Sequence, residues 1–325
     1  MGSPFLQSRH VVADGYSKLN IAHSMTRLPR YFDICTRKTY SVNSLQKCIT
    51  TNSLLCLNRT LPKGVKTFNI SHHVAAATTT VDVADVERHS KQAKDWWDEN
   101  GLIKALHSYN LIRVPFIRDG LVHCSPNERV PMPLTGKKIL DVGCGGGILT
   151  EAIARLGAKV TGVDASKELI EIARDHSNVD PKLANNRPSY ECTTIEEHSN
   201  LFTEHYDAVV ASEIIEHVDN KEIFIQACVK AVKPGGKIFI TTPNRTRVMQ
   251  IFGIIIAENI TKSLPRGTHE YDKFITPNEV TFMLERNNCH VQLIHGLMYL
   301  PVVNKWTWCS STSFMYALQA VKLQE

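Results

Sequence analysis

Residues 141–147 read DVGCGGG, and Gly143, Gly145 and Gly147 alternate along the stretch. It follows the short apolar run KKIL and precedes ILTEAIARLG, which reads as a helix closed by Gly157. A strand that turns into a helix through glycines allows a tight turn and close approach of a ligand to the backbone. The same alternation continues downstream. AKVTGVD reads as a strand ending in an acid, and SKELIEIARDH as a helix with Ser166 as N-cap. PSYECTTI and YDAVVAS read as strands, KEIFIQACVKAVKPGG as a helix stopped by Pro-Gly-Gly, and KIFITTPN as a further strand. Strands alternating with helices predict an α/β fold with a mostly parallel sheet covered on both faces.

Three ligand classes use a glycine loop of this kind. A phosphate-binding P-loop needs Gly-Lys-Ser/Thr at its end, but Gly147 is followed by Ile148. A dinucleotide fingerprint needs glycine at the sixth position from Gly143, which is again Ile148; this argues against an NAD-dependent oxidoreductase. What remains is D-x-G-x-G-x-G with an acid, Asp164, at the end of the next strand. A carboxylate there can accept both hydroxyls of a ribose, and the open helix start behind the loop offers unpaired N–H groups. The pattern resembles the Rossmann-like, class I methyltransferases that use S-adenosylmethionine. Their donor is a sulfonium zwitterion without phosphates, so no phosphate clamp is required.

Residues 1–80 hold ten Lys/Arg and only Asp14 and Asp33 as acids, a net charge of +8 that leaves −3 for residues 81–325. The segment is rich in Ser and Thr and lacks a sustained apolar block, which describes a mitochondrial transit peptide and linker. The basic balance belongs to this segment, and no nucleic-acid partner is expected of the rest. Nine scattered cysteines, with no C-x-x-C pair, fit a reducing compartment. The remaining chain, 81–325, reads as one domain: an N-terminal helical cap (81–136), a donor-binding core (137–244), an insert (245–276), and a C-terminal helix and antiparallel hairpin (277–325). Within the insert, VMQIFGIIIAENI (248–260) is too short to span a bilayer as a helix, but it can lie in a membrane interface, with Lys262 and Arg266 close behind.

After the strand YDAVVAS comes SEIIEH, with Glu213, Glu216 and His217. On a helix, residues three and four apart share one face, so the three polar heads would converge. The spacing alone leaves three readings open: a metal site, a proton-transfer site, or a solvated helix start.

Several stretches together resemble one family, the ubiquinone-biosynthesis O-methyltransferases. They are LDVGCGGGILTEAIARLGAKVTGVDAS, SEIIEHV, KPGGKIFITTPNR and GTHEYDKFITPNEV, and the resemblance covers roughly residues 85–325. It implies a seven-stranded class I methyltransferase sheet. It also implies transfer of methyl from S-adenosylmethionine to phenolic hydroxyls of polyprenylated dihydroxybenzoate and demethylubiquinol intermediates. Arg113, Gly143, Asp164 and Ser212 match the family's donor-contacting positions; Asp141, Gly145 and Gly147 belong to the same loop. The resemblance also implies metal dependence, which favours a divalent ion on Glu213, Glu216 and His217. Carboxylates suit Mg²⁺, the expected ion, whereas imidazole suits Mn²⁺ or Zn²⁺ better. His269, in GTHEYDKF, is the rival proton acceptor. The implied partners are the lipid substrate, the matrix face of the mitochondrial inner membrane, and other subunits of a coenzyme Q biosynthetic complex. A non-catalytic donor-binding subunit and a methyltransferase of another small aromatic ring are the alternatives. KWTWCSSTSF, near the C-terminus, departs from the family pattern and carries no expectation.

Overall fold

The computed structural model describes residues 80–91, 93–122, 130–251 and 271–324. All lie within the second of two compact units, residues 69–325. Most of the basic N-terminal segment, most of the 248–260 stretch, Lys262, Arg266 and His269 therefore lie outside the described residues.

Two helices precede the sheet: α1 (Val83–Ser90) and α2 (Lys104–Leu121). The glycine-loop strand is β1 (Lys138–Val142), followed by α3 (Ile148–Ala154), β2 (Lys159–Asp164) and α4 (Lys167–Val179). Then come β3 (Ser189–Cys192), α5 (Ile195–Leu201), β4 (Tyr206–Ser212), α6 (Lys221–Ala231) and β5 (Val232–Pro243). The chain closes with α7 (Pro277–Arg286), β6 (Cys289–Leu300), β7 (Lys305–Cys309) and β8 (Met315–Lys322).

The strands form one sheet in the order β3-β2-β1-β4-β5-β8-β6-β7. β1 to β5 pair in parallel, and β8 enters antiparallel between β5 and β6. One apolar cluster, with Val209, Ile238, Phe224 and Leu318, packs α6 and α7 against the sheet. Another, with Ile139, Ile153, Val210 and Phe239, joins α2 and α3 to it. The sequence thus gives an α/β sheet with buried elements in two clusters, as its alternation requires.

Three local expectations need correction. The sheet has eight strands rather than seven. β7 is the added edge, formed by the stretch KWTWC that carried no expectation. It pairs with β6, and Trp306 stacks 4.1 Å from Tyr109 of α2 while its Nε1 donates to the Ala105 carbonyl at 2.8 Å. PSYECTTI is not strand throughout: β3 ends at Cys192, and Thr194 caps the unforeseen helix α5 by accepting from the Glu197 N–H at 3.3 Å. The Pro-Gly-Gly signal does not end α6 either. The helix stops at Ala231, and Val232 already pairs with Tyr206, so the glycines sit in an irregular start of β5.

Candidate active site

β1 lies between β2 and β4, where the strand order reverses, and an open parallel sheet leaves a crevice beyond its strand ends there. A cavity of about 570 Å³ occupies that position, lined by Val142, Asp164, Ser212 and Pro243 at the ends of β1, β2, β4 and β5.

At one end is the glycine loop. Its backbone is anchored by the Gly143 and Cys144 N–H groups, which donate to the Val163 carbonyl at 2.8 and 3.1 Å. The Asp164 carboxylate accepts from the Gly145 N–H at 2.9 Å and the Ser166 N–H at 2.8 Å. One acid therefore fixes both the loop and the start of α4 while also lining the cavity. Burial raises its pKa against the pull of these backbone donors. Asp141 is buried beneath the loop and accepts from Thr150 Oγ1 at 2.6 Å; burial lifts its pKa to about 6.

Gly145 has φ +53°, and a Cβ there would stand 2.5 Å from Trp96 Cζ2. Trp96 thus covers the loop, while Trp97 Nε1 donates to the Gly146 carbonyl at 3.0 Å. Gly145→Ala combines a left-handed backbone, costing about 1–2 kcal/mol, with displacement of that indole. We expect it to weaken donor binding at least ~10-fold by calorimetry, since each ~1.4 kcal/mol is a factor of ten; unchanged affinity would show that the loop tolerates a side chain.

Arg113 of α2 is buried rather than spread on a helix surface. Its Nε donates to Asn110 Oδ1 at 2.7 Å, and its Nη1 donates to Ser212 Oγ at 3.1 Å. Ser212 Oγ lies 2.8 Å from Thr241 Oγ1, which donates to Glu213 Oε1 at 2.8 Å. A chain of hydrogen bonds therefore runs from the buried guanidinium through two hydroxyls to the first acid of SEIIEH.

SEIIEH is not a helix face. Glu213 has φ +57°, and Ile215–His217 form a single 3₁₀ turn. The premise that put all three polar heads on one face is therefore wrong, although the residues remain neighbours around the cavity. Glu216 is 2% exposed. Its Oε2 accepts from Thr242 Oγ1 at 2.8 Å, and its Oε1 is buried with no hydrogen-bond partner among the described residues. Burial, followed by the nearby Glu213 charge, drives its pKa well above the usual carboxylate range. His217 Nε2 lies 3.9 Å from Glu216 Oε1, and its Nδ1 lies 2.9 Å from Asp85 Oδ2 of α1. Among the described residues, the group of three whose possible ligand atoms all come within 4.8 Å of one another is Asp85, His89 and His217. It shares only His217 with the set read from the sequence.

The structure thus brings Arg113, Asp141, Gly143, Gly145, Asp164, Ser212, Glu213, Glu216 and His217 to one cavity. Gly147, with φ +89°, is the N-cap of α3 at the end of the loop. Sequence reasoning missed Asp85, His89, Thr241 and Thr242. Asp85 and His89 both stand in VADVERHS, but nothing in the sequence shows that this helix lies against SEIIEH.

A sheet of this order, with a glycine loop after its first strand and an acid ending its second, defines a class I S-adenosylmethionine-dependent methyltransferase. Residues 109–293 match the family described as Methyltransferase domain. The mitochondrial ubiquinone biosynthesis O-methyltransferase of Rattus norvegicus is 45% identical over 82% of this chain and 76% of its own length. That of Homo sapiens is 44% identical over 82% of this chain and 71% of its own. The ubiquinone biosynthesis O-methyltransferase of Rhizobium etli is 37% identical over 74% of this chain and 96% of its own. The chain belongs to the ubiquinone biosynthesis O-methyltransferases and is an S-adenosylmethionine-dependent O-methyltransferase.

Proposed function

We propose that the acceptor is a phenolic hydroxyl of a catechol-type ring carrying a polyprenyl tail, as in polyprenylated dihydroxybenzoate and demethylubiquinol. The observation that carries this reading is the single cavity. It holds the glycine loop and Asp164 together with the Glu213–Glu216–His217 turn, and its lining also includes the apolar Met249, Met298, Phe314 and Met315. Polar groups among apolar lining suit an amphipathic ring with a lipid tail. Asp164 receives the ribose hydroxyls of the donor, and Arg113 receives its carboxylate. Asp141, Gly143, Gly145, Gly147 and Ser212 shape the pocket around it.

The reaction is an in-line displacement at the methyl carbon. The phenolic oxygen forms the new bond, and the sulfur leaves with the electron pair of the old one. A phenol has a pKa of about 10, so the site must take up its proton or stabilise the oxyanion. Glu213, Glu216 and His217 supply the donor types a divalent ion takes and would close in on it on binding, since their ligand atoms do not all lie within 4.8 Å of one another. Glu216 Oε1 is a buried oxygen without a hydrogen-bond partner among the described residues, and two neighbouring carboxylates repel each other until a cation stands between them. When bound, such an ion supplies Lewis-acid stabilisation of the phenolate and orients the ring. Mg²⁺ is favoured by the carboxylates, and the imidazole also admits Mn²⁺. His217 and the turn around it hold the ring oxygens in place, while the apolar walls exclude water.

Location in the mitochondrion is supported by the mitochondrial relatives, and import into the matrix by the basic, Ser/Thr-rich N-terminal segment. Val248 and Ile251 are exposed beside the cavity-lining Met249, and Val302 and Val303 are exposed beside the cavity-lining Pro301. These apolar residues would meet a lipid surface where a polyprenyl substrate must be collected. Among the described residues no helix is long and apolar enough to cross a membrane.

A pair of acceptors tests the reading. A prenylated catechol offers two adjacent oxygens to a cation, whereas the matching prenylated monophenol offers one. We expect methylation of the catechol at least ~100-fold faster, in keeping with the several kcal/mol that Lewis-acid stabilisation supplies. Equal rates would remove the catechol-binding role.

A further inference from the structure

The imidazole of His217 stands between two acids on different parts of the chain. Its Nε2 faces Glu216 Oε1 at 3.9 Å, and its Nδ1 faces Asp85 Oδ2 at 2.9 Å. Two ligand atoms bound to one ion at ~2.1 Å are separated by roughly 3.0 Å when adjacent and 4.2 Å when opposite, so the Nε2–Oε1 spacing suits a shared cation. The Nδ1–Oδ2 spacing is a hydrogen bond, which requires the proton on Nδ1.

We propose that Asp85 is a positioning residue for the cation site: from the cap helix it accepts a hydrogen bond from the Nδ1–H of His217 and so presents Nε2 to Glu216 and the cavity. Metal-bound histidines commonly donate their second ring N–H to a carboxylate, which fixes the ring and its tautomer. This inference rests on the cation reading above and adds a residue that lies 128 positions before Glu213 in the chain.

The local structure holds Asp85 in place for this. Val81 bridges Val218, the residue after His217, so α1 begins directly against the turn. Asp82 caps α1 by accepting from the Ala84 and Asp85 N–H groups at 3.0 and 3.3 Å, and Lys273 Nζ donates to its other oxygen at 2.6 Å. Asp85 is buried, and Arg88 Nη1 lies 3.0 Å from its Oδ1.

His89 also reaches this carboxylate, with Nδ1 at 3.3 Å, and the same nitrogen lies 3.0 Å from the Asp85 backbone carbonyl. Its Nδ1 therefore faces two acceptors and carries a proton. Asp85 collects N–H donors from two imidazoles rather than acting with them as a ligand set.

The test is Mn²⁺ binding to the full chain after chelator treatment, read from the loss of the free Mn²⁺ signal in electron paramagnetic resonance. Removal of such a carboxylate partner commonly weakens metal affinity ~10–100-fold. We expect that loss in Asp85→Ala, a smaller one in Asp85→Glu, and S-adenosylmethionine affinity within about twofold of wild type in both. Asp82→Ala removes the cap of the same helix without touching His217 and should leave Mn²⁺ affinity within about twofold. His89→Ala should do the same. If Asp85→Ala does not fold by circular dichroism, Asp85→Asn decides, with at least a ~10-fold loss expected. Wild-type uptake with unchanged affinity in the Asp85 variants overturns this inference alone. Loss in Asp82→Ala equal to that in Asp85→Ala reduces Asp85 to a structural anchor. Loss in His89→Ala equal to that in Asp85→Ala makes the Asp85–His89–His217 group the ligand set instead. A wild-type chain that takes up no Mn²⁺ overturns the cation reading together with this inference.

Discussion

Asp164→Ala is expected to lose most of its affinity for S-adenosylmethionine. The carboxylate has two tasks in the geometry. It accepts from the Gly145 and Ser166 N–H groups, fixing the loop relative to α4, and it faces the cavity where the donor ribose binds. Hydrogen bonds to a charged group contribute about 1.5–3 kcal/mol each. Loss of two bonds to ribose hydroxyls gives about 3 kcal/mol or more, a weakening of at least ~100-fold. Asp164→Asn keeps the shape and one acceptor oxygen, so it should fall between alanine and wild type. Calorimetry on a folded Asp164→Ala variant with wild-type donor affinity would overturn the assignment.

The second large effect is expected at Glu216. Glu216→Gln should cut turnover by ~100-fold or more, because the several kcal/mol that a cation supplies as a Lewis acid disappear with its ligand. Chelator should abolish wild-type turnover, and Mg²⁺ or Mn²⁺ should restore it. Neither addition should change the rate of the variant, and donor affinity should stay near wild type. Stability should move in the opposite direction. Burial and the Glu213 charge raise the folded pKa of Glu216, so the metal-free fold favours the protonated, neutral carboxyl. At neutral pH the ionised form then opposes folding, and glutamine mimics the neutral form. The melting temperature of metal-free Glu216→Gln should accordingly rise, a gain in stability at the expense of function. Full wild-type turnover in metal-free buffer would remove the cation from the account and leave His217 or His269 as the proton acceptor.

What could be read in the sequence and what could not follow from chain distance. The glycine loop, Asp164 and the alternating strands and helices are local signals, each carried by residues within one turn or one β-α unit. Arg113 is different. Its buried link to Ser212 joins α2 to the end of β4 across 99 positions, and only the family resemblance pointed to it. Thr241 and Thr242 sit in the apolar-looking strand KIFITTPN, and their roles appear only when β5 lies beside β4 and delivers hydroxyls to Glu213 and Glu216. SEIIEH misled for a backbone reason. Spacing of three and four implies convergence only on an α-helix, and Glu213 instead takes the left-handed conformation that few non-glycine residues adopt. The edge strand β7 was hidden because KWTWC is too short for a period, and its place is set by stacking of Trp306 on Tyr109.

The most direct measurement is methyl transfer itself. The full chain would be incubated with S-adenosylmethionine and a prenylated catechol in detergent or lipid vesicles, and the product followed by mass spectrometry. The account predicts a single added methyl on one ring oxygen, formed with stoichiometric S-adenosylhomocysteine and abolished by chelator. Tight donor binding with no methylated catechol under any cation would contradict it and leave a protein that binds the donor without using it.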